Sequence, residues 1–186
     1  MKYFKLLLAL ILPWILSGCL YTFEPAYQPE DVFFDPAIVG TWQVVDGQEL
    51  FTFEPWGDKA YQWTSSETPR PFEARLFKLE QQVYLDIYPM KKDGESFSDE
   101  NLAPYHMVYK AIIRDGEMEL QFLDPEWAEQ MLKDKKVNVA YVALDDYMKV
   151  LTSPTPELRQ LLIQFNKEGF NAKNSSKLKK VKGVTQ

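Results

Sequence analysis

Short runs of alternating apolar and polar residues fill most of this chain from about residue 39, and they constrain its fold strongly. In the run KAYQWTS (59–65), Tyr61 and Trp63 alternate with small or polar neighbours. A period of two is typical of β-strands that turn one face toward a core. Turn dipeptides such as Asp46-Gly47 separate the runs and favour hairpins between consecutive strands. The pattern therefore predicts an antiparallel sheet and a mainly β fold.

Two helices are predicted beside this sheet. Asp124-Pro125-Glu126 offers an N-cap, a proline at the first helical position and an acid in the first turn, so we expect a helix to about Lys133. Thr155-Pro156-Glu157 repeats the same start signals. An apolar stripe with helical spacing follows, and we expect it to pack on the sheet: Leu158, Leu161, Leu162 and Phe165.

About eight antiparallel strands would leave two open edges, and closure into a barrel removes both. Gly40-Thr41-Trp42 in the first long strand, the strand order and the late helix resemble the lipocalins and the wider calycin group. The resemblance implies a lipocalin-like barrel over 38–170, with Trp42 as a structural residue on its floor. The chain departs from the family where Arg114-Asp115-Gly116 replaces the usual Thr-Asp-Tyr type of signature, and no arginine stands in the predicted last strand (147–153). We therefore expect a lipocalin-like barrel, but we do not expect this chain to bind the ligands of that family.

The N-terminus has the pattern of an export signal. Lys2 and Lys5 precede an uncharged apolar run from Leu6 to Leu16, and the small residues Ser17-Gly18 follow. As a helix this run would span about 16 Å, roughly half of the ~30 Å hydrocarbon core of a bilayer. It is too short to be a stable spanning helix.

Leu16-Ser17-Gly18-Cys19 resembles the lipobox of bacterial lipoproteins at all four positions. The resemblance implies that residues 1–18 are a signal peptide and that Cys19 is lipidated and holds the protein on a membrane. Leu20 follows where an aspartate would signal inner-membrane retention, so in a cell with two membranes we expect the periplasmic face of the outer membrane. The alternative is that Cys19 is an ordinary structural or free thiol.

The segments that flank the predicted barrel differ from it in composition. Residues 19–37 hold three of the prolines and four acids, so we expect an extended tether, with part of it lying along the domain. Residues 171–186 hold five lysines and few apolar residues, which predicts a disordered basic tail. The alternative for this tail is an electrostatic arm for anionic lipids or cell-wall polymers.

The charge balance argues against a nucleic-acid partner. The formal net charge is −6, and five lysines lie after Glu168, so the body before them is more acidic than this total. An acidic surface repels a phosphate backbone. We expect a membrane, a small molecule or another protein as the partner.

The sequence shows no catalytic or metal-binding pattern. His106 is the only histidine, which excludes a multi-histidine metal centre, and we expect it to be a hydrogen-bonded packing residue. The acidic loop at 93–100 lacks the glycine and glutamate positions of an EF-hand, so we expect a solvated loop and no metal. No nucleophile motif accompanies His106, so we expect neither a cofactor nor an enzyme.

The function that we favour is a membrane-anchored module that binds a small apolar or amphipathic ligand inside its barrel. Alternating strand positions must point into the lumen of a closed sheet, and aromatic or thioether side chains there would make an apolar lining with few polar tips. The expected ligand contacts are Tyr61, Trp63, Tyr105, Met107 and Tyr109. The alternative is an envelope interaction lipoprotein with a filled barrel that binds another protein.

Overall fold

The computed structural model describes residues 20–68, 70–91, 104–144 and 148–181. The predicted signal peptide, Cys19 and the acidic loop at 93–100 lie outside these residues. Within the described part of the chain, no helix has the length and apolar character needed to cross a bilayer.

The described residues form twelve β-strands and two α-helices. The strands are Leu20–Thr22 (β1), Val32–Phe33 (β2), Gly40–Val44 (β3), Leu50–Trp56 (β4), Ala60–Ser65 (β5), Phe72–Leu79 (β6), Gln82–Pro89 (β7), His106–Arg114 (β8), Glu117–Leu123 (β9), Tyr141–Ala143 (β10), Lys149–Leu151 (β11) and Phe170–Lys180 (β12). The helices are Pro125–Lys133 (α1) and Thr155–Phe165 (α2). Both helices occupy the regions that the proline-containing start signals predict.

Eight of the strands close into an antiparallel barrel. Neighbours follow the order β3-β4-β5-β6-β7-β8-β9-β12, and β12 pairs with β3 to complete the ring. Short turns join many consecutive strands, and in the β8–β9 turn Gly116 adopts φ +80°. Glycine enters this left-handed region without the steric cost that a Cβ imposes. The predicted fold class, a mainly β antiparallel barrel of about eight strands with two helices, is confirmed.

One end of the barrel is sealed around Trp42. The Trp42 side chain is buried, and its Nε1 donates a 2.7 Å hydrogen bond to the carbonyl of Ile38. Ile38 ends a 3₁₀ turn, Pro36–Ile38, that leads into β3. Lys180 at the end of β12 donates to the Ala37 carbonyl at 2.7 Å, and its Nζ lies 5.4 Å from the Trp42 ring centroid. Trp42 therefore has the structural place on the barrel floor that the lipocalin resemblance implies.

The prediction of a disordered tail is wrong for residues 171–180, because they belong to β12. Leu178 pairs with Met118 on one side and Val44 on the other, and its side chain is buried in the barrel. Lys177 and Lys179 alternate with it on the exposed face. Backbone hydrogen bonds to strands on both sides hold β12 in place, so it can form with few apolar side chains. Its amino-acid composition therefore resembles that of a disordered segment. The barrel domain consequently extends past residue 170.

The strand expected to end the barrel (147–153) contains β11, and the structure places β11 beside the barrel together with β10. β1 pairs with the edge of β8 that β9 leaves free, from Leu20↔Val108 to Thr22↔His106. β11 then pairs in parallel with β1, and β10 pairs with β11. The strands β1, β11 and β10 therefore extend the sheet outward from the edge of β8.

The segment predicted as a tether is largely part of the folded body. Besides β1, the strand β2 pairs with β6, and the Tyr27 ring lies 5.4 Å from that of Phe77. Ala26 and Val32 are buried. The expectation that part of this segment lies along the domain is confirmed for residues 20–37, whereas the expectation of an extended spacer is wrong for them. The prolines 25, 29 and 36 stand at its bends and turns instead of separating it from the barrel.

A second apolar core lies outside the barrel, under α2. Leu158, Leu162 and Phe165 are buried, and the first two pack with Leu20 and Val108 from β1 and β8. Burial of the predicted stripe is therefore confirmed for these three residues, whereas Leu161 is only partly buried. Thr155 donates its hydroxyl to the carbonyl of Pro25 at 2.8 Å, which ties the start of α2 to the N-terminal segment.

Candidate functional site

The barrel brings four of the five predicted ligand residues into one core. Tyr61 and Trp63 point inward from β5, and Met107 and Tyr109 point inward from β8. Tyr105 is half-buried and immediately precedes β8. The alternation read from the sequence therefore assigns the inward faces of both strands correctly.

Tyr61 belongs to the sealed end and not to an open surface. It is fully buried, and its hydroxyl donates to the Asp35 carbonyl at 3.1 Å and accepts from the Asp35 amide at 2.6 Å. Phe34 stacks on its ring with centroids 4.8 Å apart. Burial raises the pKa of Tyr61 to about 12. Tyr61 therefore fastens the N-terminal segment to the barrel and offers no exposed area to a ligand.

Trp63 lies toward the opposite end of the lumen, which we call the barrel mouth and define by Phe51, Trp63, Phe72 and Met107. The Trp63 ring centroid lies 5.1 Å from that of Phe51 and 5.1 Å from that of Phe72. Phe51, Trp63 and Met107 are only partly buried, in contrast to Trp42 and the other residues of the floor. The mouth is thus an aromatic surface on which these three side chains remain partly exposed.

The wall near the mouth carries few polar atoms. The Tyr109 hydroxyl lies 3.8 Å from the Met107 sulfur, and the Tyr109 ring makes an edge-on contact with Phe122 at 5.3 Å. Continuing the β7–β8 register from Ile87↔Met107 places Tyr105 level with Pro89, at the same end. Aromatic and thioether groups with occasional phenol tips suit an apolar or amphipathic molecule.

The mouth is braced by a buried arginine that sequence reasoning did not single out. Arg70 follows β5 and is 2% exposed, and its Nη1 donates to the Met90 carbonyl at 3.1 Å. The Met90 amide in turn donates to the Pro71 carbonyl at 3.1 Å. These bonds join the β5–β6 connection to the end of β7.

His106 and Asp86 form a polar pair on the outer face of the barrel. His106 Nδ1 lies 2.8 Å from Asp86 Oδ1, and the Tyr88 ring packs on the imidazole with centroids 4.6 Å apart. Asp86 Oδ2 is buried and has no hydrogen-bond partner among the described residues. Burial raises the pKa of the Asp86 carboxyl, while the hydrogen bond and charge of His106 oppose part of that rise. The predicted packing role of His106 is supported by these contacts.

Thr22, the residue paired opposite His106, does not complete a nucleophilic triad with this pair. Its hydroxyl donates to the Glu24 carbonyl at 2.6 Å. Activation of a hydroxyl would need its hydrogen bond to point at the imidazole. Within residues 20–68, 70–91, 104–144 and 148–181, no three acidic, cysteine or histidine side chains come together as a metal site.

A second apolar concavity, which the sequence analysis missed, lies between the two helices. It is a shallow groove with an enclosed volume of about 50 Å³ and one side open to solvent. We call it the helix groove, and its lining is Leu20, Leu123, Trp127, Ala128, Met131, Leu132, Val137, Val139, Leu151, Leu161, Leu162, Phe165 and Phe170. The signal was present in α1, where Trp127 and Met131, and Ala128 and Leu132, repeat at a spacing of four.

Comparison with known proteins adds no family to this description. No protein-family model, no curated protein and no solved structure matches the chain.

Proposed function

We propose that this protein is a lipid-anchored envelope protein whose lipocalin-like barrel binds one small apolar or amphipathic molecule at its mouth. The observation that carries the proposal is the contrast between the two ends of the lumen. Trp42 and Tyr61 are fully buried and hydrogen-bonded at the floor, whereas Phe51, Trp63 and Met107 remain partly exposed at the mouth. A ligand therefore has apolar surface to cover at one end only.

The shape of the lumen favours an elongated ligand. An eight-stranded barrel is just wide enough for its own side chains to fill, and here the lower half holds Trp42, Phe53 and Tyr61. At the mouth, the Trp63 ring contacts the rings of Phe51 and Phe72. A narrow molecule such as an acyl chain can insert between those rings more easily than a bulky polycyclic one.

The anchor in this proposal is a lipid on Cys19, supported by the lipobox-like sequence. Leu20, the residue that follows the proposed anchor, is part of the sheet. Each buried CH₂ of an acyl chain contributes about 0.8 kcal/mol, and two or more chains hold a protein stably on a membrane. The barrel would lie at the membrane surface, facing the periplasm if the cell has two membranes.

Intrinsic fluorescence tests the ligand site, because the tryptophans mark different places. We would titrate fatty acids into a soluble version that starts at Leu20 and expect a saturable change in emission. The change should be lost in Trp63→Phe, at the mouth, and retained in Trp56→Phe, whose side chain is 44% exposed at the end of β4. Absence of a saturable change, or its loss only in Trp127→Phe in the helix groove, would contradict binding at the mouth.

A second candidate function, binding to another envelope protein, rests on the edge strand β10. This strand ends the sheet order, and Tyr141 and Val142 are 44% and 51% exposed, followed by Leu144 at 47%. Such an edge can accept a further strand from a partner. A photo-crosslinking residue at position 142 that captures one specific envelope protein, with no ligand bound at the mouth, would favour this alternative.

A further inference from the structure

The helix groove is lined only by apolar side chains, so only a hydrocarbon-like occupant suits it. The thirteen side chains that surround it carry no charge and no hydrogen-bonding group other than the Trp127 indole. α1 contains no fully buried residue, although Trp127, Ala128, Met131 and Leu132 face this apolar space. Covering apolar surface is favourable by about 25 cal/mol for each Å². A polar ligand would lose its hydration there without gaining hydrogen bonds.

The groove begins beside the proposed lipid anchor. Leu20 is one of its lining residues and directly follows Cys19. Because consecutive Cα atoms are about 3.8 Å apart, an acyl chain carried by Cys19 would start next to the groove.

The start of the chain is also held in position. β1 pairs with β8 through Tyr21↔Met107 and with β11 through Tyr21↔Val150, so it is held on both sides. An attached chain with a short connection has an effective concentration in the millimolar range near such a site. A free molecule in the envelope would have to compete with it.

We propose that one acyl chain of the lipid on Cys19 lies in the helix groove of the same molecule, while the remaining chain or chains stay in the bilayer. This inference rests on the lipidation part of the proposed function and does not depend on a ligand at the barrel mouth. Its consequence is a fixed orientation, with α1, α2 and the β1 end of the sheet turned toward the membrane. Removing one chain from the bilayer also weakens the anchor, since a single remaining chain gives only marginal binding.

The test uses the full-length protein in cells fed an alkyne fatty acid that carries a photo-crosslinking diazirine. After irradiation, mass spectrometry locates the crosslinks within the chain. We expect them on groove residues such as Met131 and Leu161. Ala128→Trp fills the groove and should abolish these crosslinks, whereas Ala172→Trp, on the exposed face of β12, should leave them unchanged.

A second measurement does not depend on a groove variant folding well. With a brominated fatty acid in the lipid, the emission of Trp127 should be quenched in the lipidated protein and not in Cys19→Ser. Trp127→Phe removes the quenched component and identifies its source.

The ways in which this inference can fail are distinguishable. Absence of fatty acid from the wild-type protein would overturn the lipidation proposal and this inference with it. A labelled protein whose crosslinks lie only on lipids, or on barrel-mouth residues such as Trp63, would overturn the groove inference alone. Crosslinks that persist unchanged in Ala128→Trp would overturn it as well.

Discussion

The indole Nε1 of Trp42 donates a 2.7 Å hydrogen bond to the carbonyl of Ile38, and this bond joins the first barrel strand to the turn that seals the floor. Trp42 is 1% exposed and Ile38 is fully buried, so water does not replace the bond when it is lost. This bond therefore acts beside the Lys180–Ala37 and Tyr61–Asp35 hydrogen bonds that also hold the floor of the barrel.

Trp42→Phe should destabilise the protein. It leaves the buried Ile38 carbonyl unsatisfied, at a cost of about 1–3 kcal/mol, and the smaller ring adds a packing loss. Trp56→Phe is the matched control, because Trp56 is 44% exposed and should change stability by less than about 0.5 kcal/mol. Urea unfolding followed by circular dichroism measures both, and equal midpoints for the two variants would argue against a sealed floor.

Leu178→Ala tests whether the lysine-rich end of the chain closes the barrel. Leu178 is 1% exposed between β3 and β9, so truncation should lower the free energy of unfolding by about 2–5 kcal/mol. Lys177→Ala, one residue earlier on the exposed face, should have almost no effect. If the two variants unfold at the same urea concentration, residues 171–180 are not a core strand.

Residues 171–180 also show where sequence reasoning reached its limit. In residues 105–123, which form β8 and β9, apolar side chains mark every inward position, so the period of two is visible in the sequence. In β12 the inward positions include Ser176 and Lys180, so composition resembles a polar tail, and only the barrel reveals its two neighbouring strands. The ordering of residues 20–37 depends similarly on distant contacts such as that between Tyr27 and Phe77.

For other parts of the fold, short sequence patterns were sufficient to predict the structure. Asp124 caps α1 as its sequence predicts, with its carboxylate accepting from the Trp127 amide at 3.0 Å. The inward assignment of Trp63 and Met107 needed only the strand alternation. The helix groove could not be predicted from short-range sequence signals. Its lining comes from elements that are far apart in the sequence, including α1, α2, β1 and β11.

Leu162→Ala should lower stability through the second core. Leu162 is 1% exposed on α2, and its loss should cost about 2–5 kcal/mol as a cavity-forming truncation. Leu50→Ala is a suitable control, because that leucine is 37% exposed. An unchanged denaturation midpoint for Leu162→Ala would mean that α2 does not pack on the sheet in solution.

The raised pKa of the Asp86 carboxyl predicts the direction in which the stability of the protein changes with pH. Its pKa is raised from 3.8 in the folded state, mainly by burial and also by Glu73, while His106 and Arg75 oppose the rise. A raised pKa means that the folded state favours the protonated acid, so this contribution to stability is complete below the unfolded pKa and is lost as pH rises through the folded pKa. Asp86→Asn should therefore become more stable relative to wild type as pH rises above about 4.

Urea midpoints of wild type and Asp86→Asn at a series of pH values measure this difference. The asparagine keeps the shape of the side chain and can still share a hydrogen bond with His106. If Asp86→Asn instead loses stability relative to wild type as pH rises, the ionised pair with His106 is net stabilising. The pKa of Asp86 would then be lowered by folding, and the expected sign would be wrong.

Native mass spectrometry of the soluble version that starts at Leu20, purified gently from the cells that express it, tests ligand binding at the barrel mouth most directly. We expect one retained small apolar molecule for each chain, present in Trp56→Phe and lost when the mouth is filled by Met107→Trp. A protein that carries no added mass, and that also gives no saturable response to fatty acids, would contradict the binding function and favour an interaction role for the filled barrel.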